Sequence, residues 1–215
     1  KAQQFFALAQ ECHLAAPISR KALEKACQQF AWWRNSLPKH AQHIQLNLNV
    51  SGQHFAELDF IAHLQQTLQQ NALKAEDIIL DLTEASIYHN PEKSTSLLLD
   101  LRQMGVQVMV DDFGTGFSSL TGLQRFAVDG IKIDHSFIQQ IPHNAEESAV
   151  VTSLIQMGHS LNLRVIAEGV ETEAQQDFLQ HAQCDGMQGQ AIGGCNSLES
   201  LNIRLSKPKL SILSA

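Results

Sequence analysis

The feature that most restricts this chain is a regular alternation. Six short apolar runs lie near Ile44–Asn49, Ile78–Thr83, Val106–Asp111, Asp129–Ile133, Arg164–Ala167 and Asp185–Gln188. Between them, helical spacing predicts helices near 2–13, 18–35, 54–70, 91–104, 145–161 and 171–181. Short continuous apolar runs suit strands covered on both faces, and strands alternating with helices build parallel sheets. An open doubly wound sheet and a closed barrel both satisfy the pattern. A (β/α)8 barrel takes about 250 residues and eight strands. This chain has 215 residues, supplies six runs and opens on a helix. The expectation is an α/β fold: a TIM-like (β/α)8 barrel that lacks its N-terminal strands in this chain. No internal repeat or low-complexity linker divides it, so residues 1–215 are read as one domain.

Each apolar run finishes on polar groups. IQLNLN ends at Asn49, and IILDLTE carries Asp81 and Glu84. VQVMVDD gives Asp111 and Asp112, and VDGIKID gives Lys132 and Asp134. LRVIAE ends at Glu168 and CDGMQ at Gln188. Singly, each has an ordinary explanation: a helix cap, a turn residue, or a lysine reaching water along its stem. Parallel strands point the same way, however, so all six sets gather at the C-terminal rim, where such folds place their sites.

Carboxylates and an amide oxygen are hard donors, which favour Mg²⁺, Mn²⁺ or Ca²⁺ over zinc. The neighbours Asp111 and Asp112 could serve two ions, and two close cations suit in-line attack on a phosphodiester. A lysine beside them would have its pKa lowered by like charge and could position or deprotonate the water. Lys132 as a Schiff-base residue is the rival use, against which the surplus of carboxylates argues.

Charge and composition exclude other classes. The net charge of −7 argues against DNA, RNA or anionic lipid as partners. Cys12, Cys27, Cys184 and Cys195 are scattered without a C-x-x-C pair, as free thiols in a reducing compartment are. No apolar run reaches the ~18 residues of a membrane span, and the start of the chain lacks the apolar core of a signal peptide. A cytoplasmic domain is expected, within a full-length protein that could carry a membrane anchor. The ten histidines are scattered and read as solvated or capping side chains. GTGFSS, at 114–119, lacks the pattern of a phosphate-binding loop and reads as a mobile loop over the site.

DDFGTGFSSL, then VDGIKIDHSFI, then VIAEGVETEAQ resembles the EAL domain of bacterial cyclic-di-GMP phosphodiesterases. NVSGQHF is similar to its N-x-S segment, LDLTEA to its E-x-T-E segment, and QFFALAQE to its first helix after the signature. The resemblance runs from about Gln4 to Gly189. It implies a TIM-like barrel of EAL type and Mg²⁺- or Mn²⁺-dependent hydrolysis of cyclic-di-GMP to linear pGpG, with two ions and with Ca²⁺ inhibitory. It implies Asn49, Asp81, Asp111 and Asp112 as metal ligands. Lys132 and Glu168 become catalytic, and Asp134, Glu171 and Gln188 lie near the substrate. Glu84 anchors the DDFGTG loop. A homodimer and upstream sensory or GGDEF domains are implied partners. This sequence departs from the family at three places. The E-A-L signature is absent, so the domain reads as truncated at its N-terminus. Asp81 stands where the family has Glu, and QGQAIGGCNSLES replaces Q-G-Y-x-F-S-x-P-L. These departures raise the alternative of a degenerate EAL domain that binds cyclic-di-GMP or scaffolds signalling partners without hydrolysis.

Overall fold

The structure, a computed structural model, describes residues 8–9, 11–12, 14–116 and 123–206. Six strands, β1 (Leu46–Asn49), β2 (Ile78–Thr83), β3 (Gln107–Phe113), β4 (Gly130–Ile133), β5 (Arg164–Glu168) and β6 (Gly186–Gln188), form one sheet. Its order is β1-β2-β3-β4-β5-β6, and every neighbouring pair is parallel. That order decides between the two architectures. A doubly wound sheet reverses its order at a switch point, whereas here each strand joins on the same side as the last. With right-handed crossovers the helices fall on one face only, and the other face becomes the inside of a barrel wall.

The helices are α1 (Ala15–Ser36), α2 (Gly52–Phe55), α3 (Phe60–Gln70), α4 (Glu84–Tyr88), α5 (Pro91–Met104), α6 (His135–Ile138), α7 (Ala145–Ser160), α8 (Glu173–His181) and α9 (Leu198–Ser206). The helix expected at 2–13 lies mainly outside the described residues, of which Leu8, Ala9 and Glu11 are helical. The helix expected at 54–70 is two helices. In one continuous helix Phe55 and Phe60, five residues apart, would point about 140° away from each other. The break lets both be buried, with their rings edge to face at 5.6 Å.

Residues facing the helices make the core. Leu80, Leu82, Val108, Val110, Ile131, Ile133, Val165 and Ala167 are buried in one cluster with α1, α3, α5, α7 and α8. The inner face carries Ile79 and Met109, then the polar strand ends. Space there is short: a Cβ on Gly130 would lie 2.4 Å from the Arg164 carbonyl oxygen and 2.6 Å from Met109 Cε. At the opposite end of the sheet, Asp129 and Asp185 accept the backbone N–H of Val108 and Val165 at 2.7 and 2.8 Å, fastening neighbouring strands. Helix α9 returns to α1, where Trp33 Nε1 donates to Asn202 Oδ1 at 2.7 Å. All four cysteines are free. Among the described residues, no helix is long and apolar enough to cross a membrane.

Two histidines depart from the scattered, solvated expectation. His54 is fully buried, and its ring lies 5.6 Å from that of His63, which is also buried. The Ser19 hydroxyl accepts the Ser51 N–H at 3.1 Å and can donate its own proton to His54 Nδ1 at 3.1 Å. Burial lowers the His54 pKa to about 4, with His63 and Arg20 pushing the same way. An unfolded histidine titrates near 6.5. Between those values the unfolded chain binds a proton that the folded chain refuses. His54 therefore contributes full stability above about pH 6.5 and loses it as pH falls to about 4, on the order of 3 kcal/mol in all. Urea midpoints at pH 7.5 and 4.5 should show that fall, and His54→Gln should flatten it. An equal fall in the variant would remove His54 as the cause.

Candidate active site

The register brings the polar strand ends together on the inner face. Asn49 pairs with Asp81, Thr83 with Asp111, and Glu168 with Gln188 across neighbouring strands. Lys132, on β4, stands at the centre of the wall. Its ammonium donates to Asp81 Oδ2 at 2.8 Å, bonds closely to Glu168, and lies 3.6 Å from Asp111 Oδ1. The Lys132 and Asp81 side chains are each 3% exposed, against 20% for Glu168. Burial alone would lower the Lys132 pKa. The hydrogen bonds to Asp81 and Glu168 and the charge of Asp111 outweigh it, and the pKa lies above the ordinary lysine value. Lys132 in this arrangement is a cation. The lowered pKa expected from the sequence belongs to a site shared with other cations. Burial pushes Asp81 up to about 6 against the pull of Lys132, and burial likewise raises Glu168.

The paired aspartates sit in a bulge. Between Val110 and Phe113 on β3 the partner strand spans only Ile131 to Ile133, so β3 holds one extra residue. Asp112 takes a left-handed backbone, φ 54°, which Asp tolerates better than most residues. Burial raises the Asp112 pKa, followed by the charges of Asp111 and Asp134, so these three carboxylates are close enough to feel one another.

Glu84 opens α4 directly after β2 and is 5% exposed. Its carboxylate lies 3.3–3.4 Å from where a Cβ on Gly116 would stand, against the DDFGTG segment. Residues 117–122, including the rest of the GTGFSS segment, lie outside the described residues. Asp134 is buried and serves as the cap of α6: it accepts from Ser136 N at 3.0 Å, from the Ser136 hydroxyl, and pairs with His135 Nδ1 at 2.9 Å. Those bonds, against burial, hold its carboxyl below the usual range. The sequence did not mark His135 for the site, although a histidine directly after a strand-end aspartate was the available signal. Asn49, Gln188 and Glu171 are exposed, and Asn49 and Gln188 lie beside Asp81 and Glu168 in register.

Asp81 Oδ1 and Asp111 Oδ1 are buried and accept no hydrogen bond. Such oxygens are costly to bury and fit a hard, oxygen-seeking cation. The carboxylates gather on Lys132 rather than on one another, and among the described residues no three acidic, His or Cys side chains form a ready cage. The donor chemistry thus suits a divalent cation, while the ammonium holds the centre.

The family model for the EAL domain matches residues 1–194. The chain is 36% identical over 190 residues to the bifunctional diguanylate cyclase/cyclic di-GMP phosphodiesterase MucR of Pseudomonas aeruginosa, covering 88% of this chain and 27% of MucR. The solved PaMucR phosphodiesterase in complex with c-di-GMP superposes with a TM-score of 0.86 at 35% identity, covering 93% of this chain and 79% of that one. The cyclic di-GMP phosphodiesterase PdeR of Escherichia coli is 34% identical over 175 residues, 81% of this chain and 26% of PdeR. A calcium/c-di-GMP complex of Klebsiella pneumoniae BlrP1 matches with a TM-score of 0.70 at 28% identity, covering 80% of this chain and 43% of that one. The chain spans about a quarter of the length of the curated relatives it matches.

Proposed function

The chain belongs to the EAL domain family, and from that membership we propose that it hydrolyses cyclic-di-GMP to linear pGpG with Mg²⁺ or Mn²⁺ bound. The family's phosphodiesterases are metal-dependent and include relatives that act on cyclic-di-GMP. The observation that supports the reading most is the gathering of Asp81, Asp111 and Glu168 on a buried Lys132, with two carboxylate oxygens left without hydrogen bonds.

In this reading Asn49, Asp81, Asp111 and Asp112 hold one or two cations. A bound divalent cation supplies a more acidic water and neutralises charge growing on the phosphodiester. Lys132, fixed by Glu168, directs its N–H groups at the attacking water or a phosphoryl oxygen. Glu84 steadies the segment that carries the paired aspartates. Asp134, Glu171 and Gln188 face the substrate side of the rim. Work within a longer signalling protein with sensory or GGDEF domains, and as a homodimer, belongs to the same proposal.

A second reading, binding without hydrolysis, draws support from Asp81, one methylene shorter than the family's Glu and already bonded to Lys132. The test is incubation with cyclic-di-GMP and Mn²⁺, followed by chromatography for pGpG. Accumulation of pGpG is expected. Retained binding of cyclic-di-GMP with no pGpG would transfer the protein to the second reading.

A further inference from the structure

A cavity of about 420 Å³ lies away from the Lys132 cluster, between α2, α4 and the start of α5. That volume falls within the roughly 300–1,000 Å³ of small-molecule sites. Phe55, Ala56, Ala85 and Leu97 give it apolar lining. Lys93, Ser94 and His89 add polar lining, and no acidic residue lines the cavity.

Two side chains there are underused. Lys93 Nζ donates to the Ala56 carbonyl at 2.6 Å, leaving two N–H donors. Among the described residues it has no carboxylate partner within ion-pair distance. Ser94 is 3% exposed and lines the cavity. Its neighbour Thr95 turns its hydroxyl back to the Pro91 carbonyl at 2.7 Å, as serines and threonines in helices commonly do. The Ser94 hydroxyl has no hydrogen bond among the described residues. A half-buried ammonium and a hydroxyl in the cavity wall beside apolar side chains complement an anionic head on an apolar body.

We propose that this cavity binds a small organic carboxylate, its head on Lys93 and Ser94 and its apolar body against Phe55 and Leu97, and that its filling is felt at the DDFGTG segment. The route is short. Thr83 and Ala85, both in the cavity wall, bracket Glu84, whose carboxylate abuts Gly116.

The probes are benzoate and phenylacetate, titrated into the full chain and followed by saturation-transfer NMR and by the Leu97 methyl and Gly116 amide signals. Both signals should shift along one saturating curve. Lys93→Met should weaken binding by roughly tenfold or more, the loss of one hydrogen bond to a charged partner, and exposed Lys21→Met should not. Leu97→Trp, which fills the cavity without touching its charge, should abolish binding. Failure of both carboxylates to bind the unaltered chain would overturn the proposal, as would equal affinity in Lys93→Met. Inorganic phosphate displacing benzoate at equal concentration would show a bare anion site and overturn the organic ligand class. A Leu97 shift without a Gly116 shift would overturn the link to the DDFGTG segment.

Discussion

Asp111→Ala should lower the rate of cyclic-di-GMP hydrolysis by roughly 10³-fold, the scale on which a group acting in the reaction itself contributes. Asp111 is the inner-face residue of the β3 bulge, and one of its oxygens is buried without a hydrogen bond. Removing it takes a hard donor from the centre of the proposed site. The fold should tolerate the change, because the apolar core lies on the other side of the sheet. It also removes a like charge that helps raise the Asp112 pKa, after burial. The measurements are pGpG formation at saturating Mn²⁺, Mn²⁺ affinity by electron paramagnetic resonance, and the melting temperature. A variant within tenfold of the parent in turnover, with unchanged Mn²⁺ affinity, would falsify the placement of the cation at Asp111.

The second large effect concerns stability. Lys132→Met should destabilise the protein by about 3–5 kcal/mol in EDTA, since removing one member of a buried charge cluster leaves the others uncompensated. For a domain of this size that lowers the melting temperature by about 10 °C. The oxygens left behind belong to Asp81, Asp111 and Glu168, of which Asp81 is 3% exposed. Because the deficit is one of positive charge, Mn²⁺ should restore part of the loss, and restore more of it in the variant than in the parent. Equal melting temperatures of variant and parent in EDTA would show that the ammonium is not what holds these carboxylates.

Legibility in the sequence varied with the kind of signal. Strand β2 matches its apolar run end to end, because Ile78, Ile79, Leu80 and Leu82 are buried and keep the run continuous on both sides of Asp81. Helix α5 matches from Pro91 to Met104, since Asn90 caps it, Pro91 begins it and left-handed Gly105 ends it. The short helices α4 and α6 lie outside every expected helix, and the sequence merges α2 with α3 into one. Each short helix is a single turn begun by a cap at or just past a strand end, Ser51, Thr83 and Asp134, and one turn is too short to show a 3.6-residue period. The extension of β3 to Phe113 was also hidden, because a bulge leaves no periodic trace. For the site, strand-end positions sufficed to gather Asp81, Asp111, Lys132 and Glu168. They could not tell that Asp134 spends its carboxylate on Ser136 and His135, since partners so near in sequence leave no mark on strand alternation. They could not show that Asn49, Gln188 and Glu171 would be exposed. The cavity beside α5 was invisible, since its walls come from three separate segments.

The consecutive order of the strands has a consequence for synthesis. Every strand pairs with the one before it, so the sheet can grow in one direction as the chain emerges, without waiting for distant segments. The charged centre is then assembled in a fixed sequence. Asp81 and Asp111 come first, as two acids with no internal base. Lys132 arrives next and offsets one of the two negative charges, and Glu168 arrives last and fixes the lysine in place. A nascent chain stopped after β4 would hold its ammonium but not the glutamate that orients it. The cation thus enters the site one strand before its orientation is set.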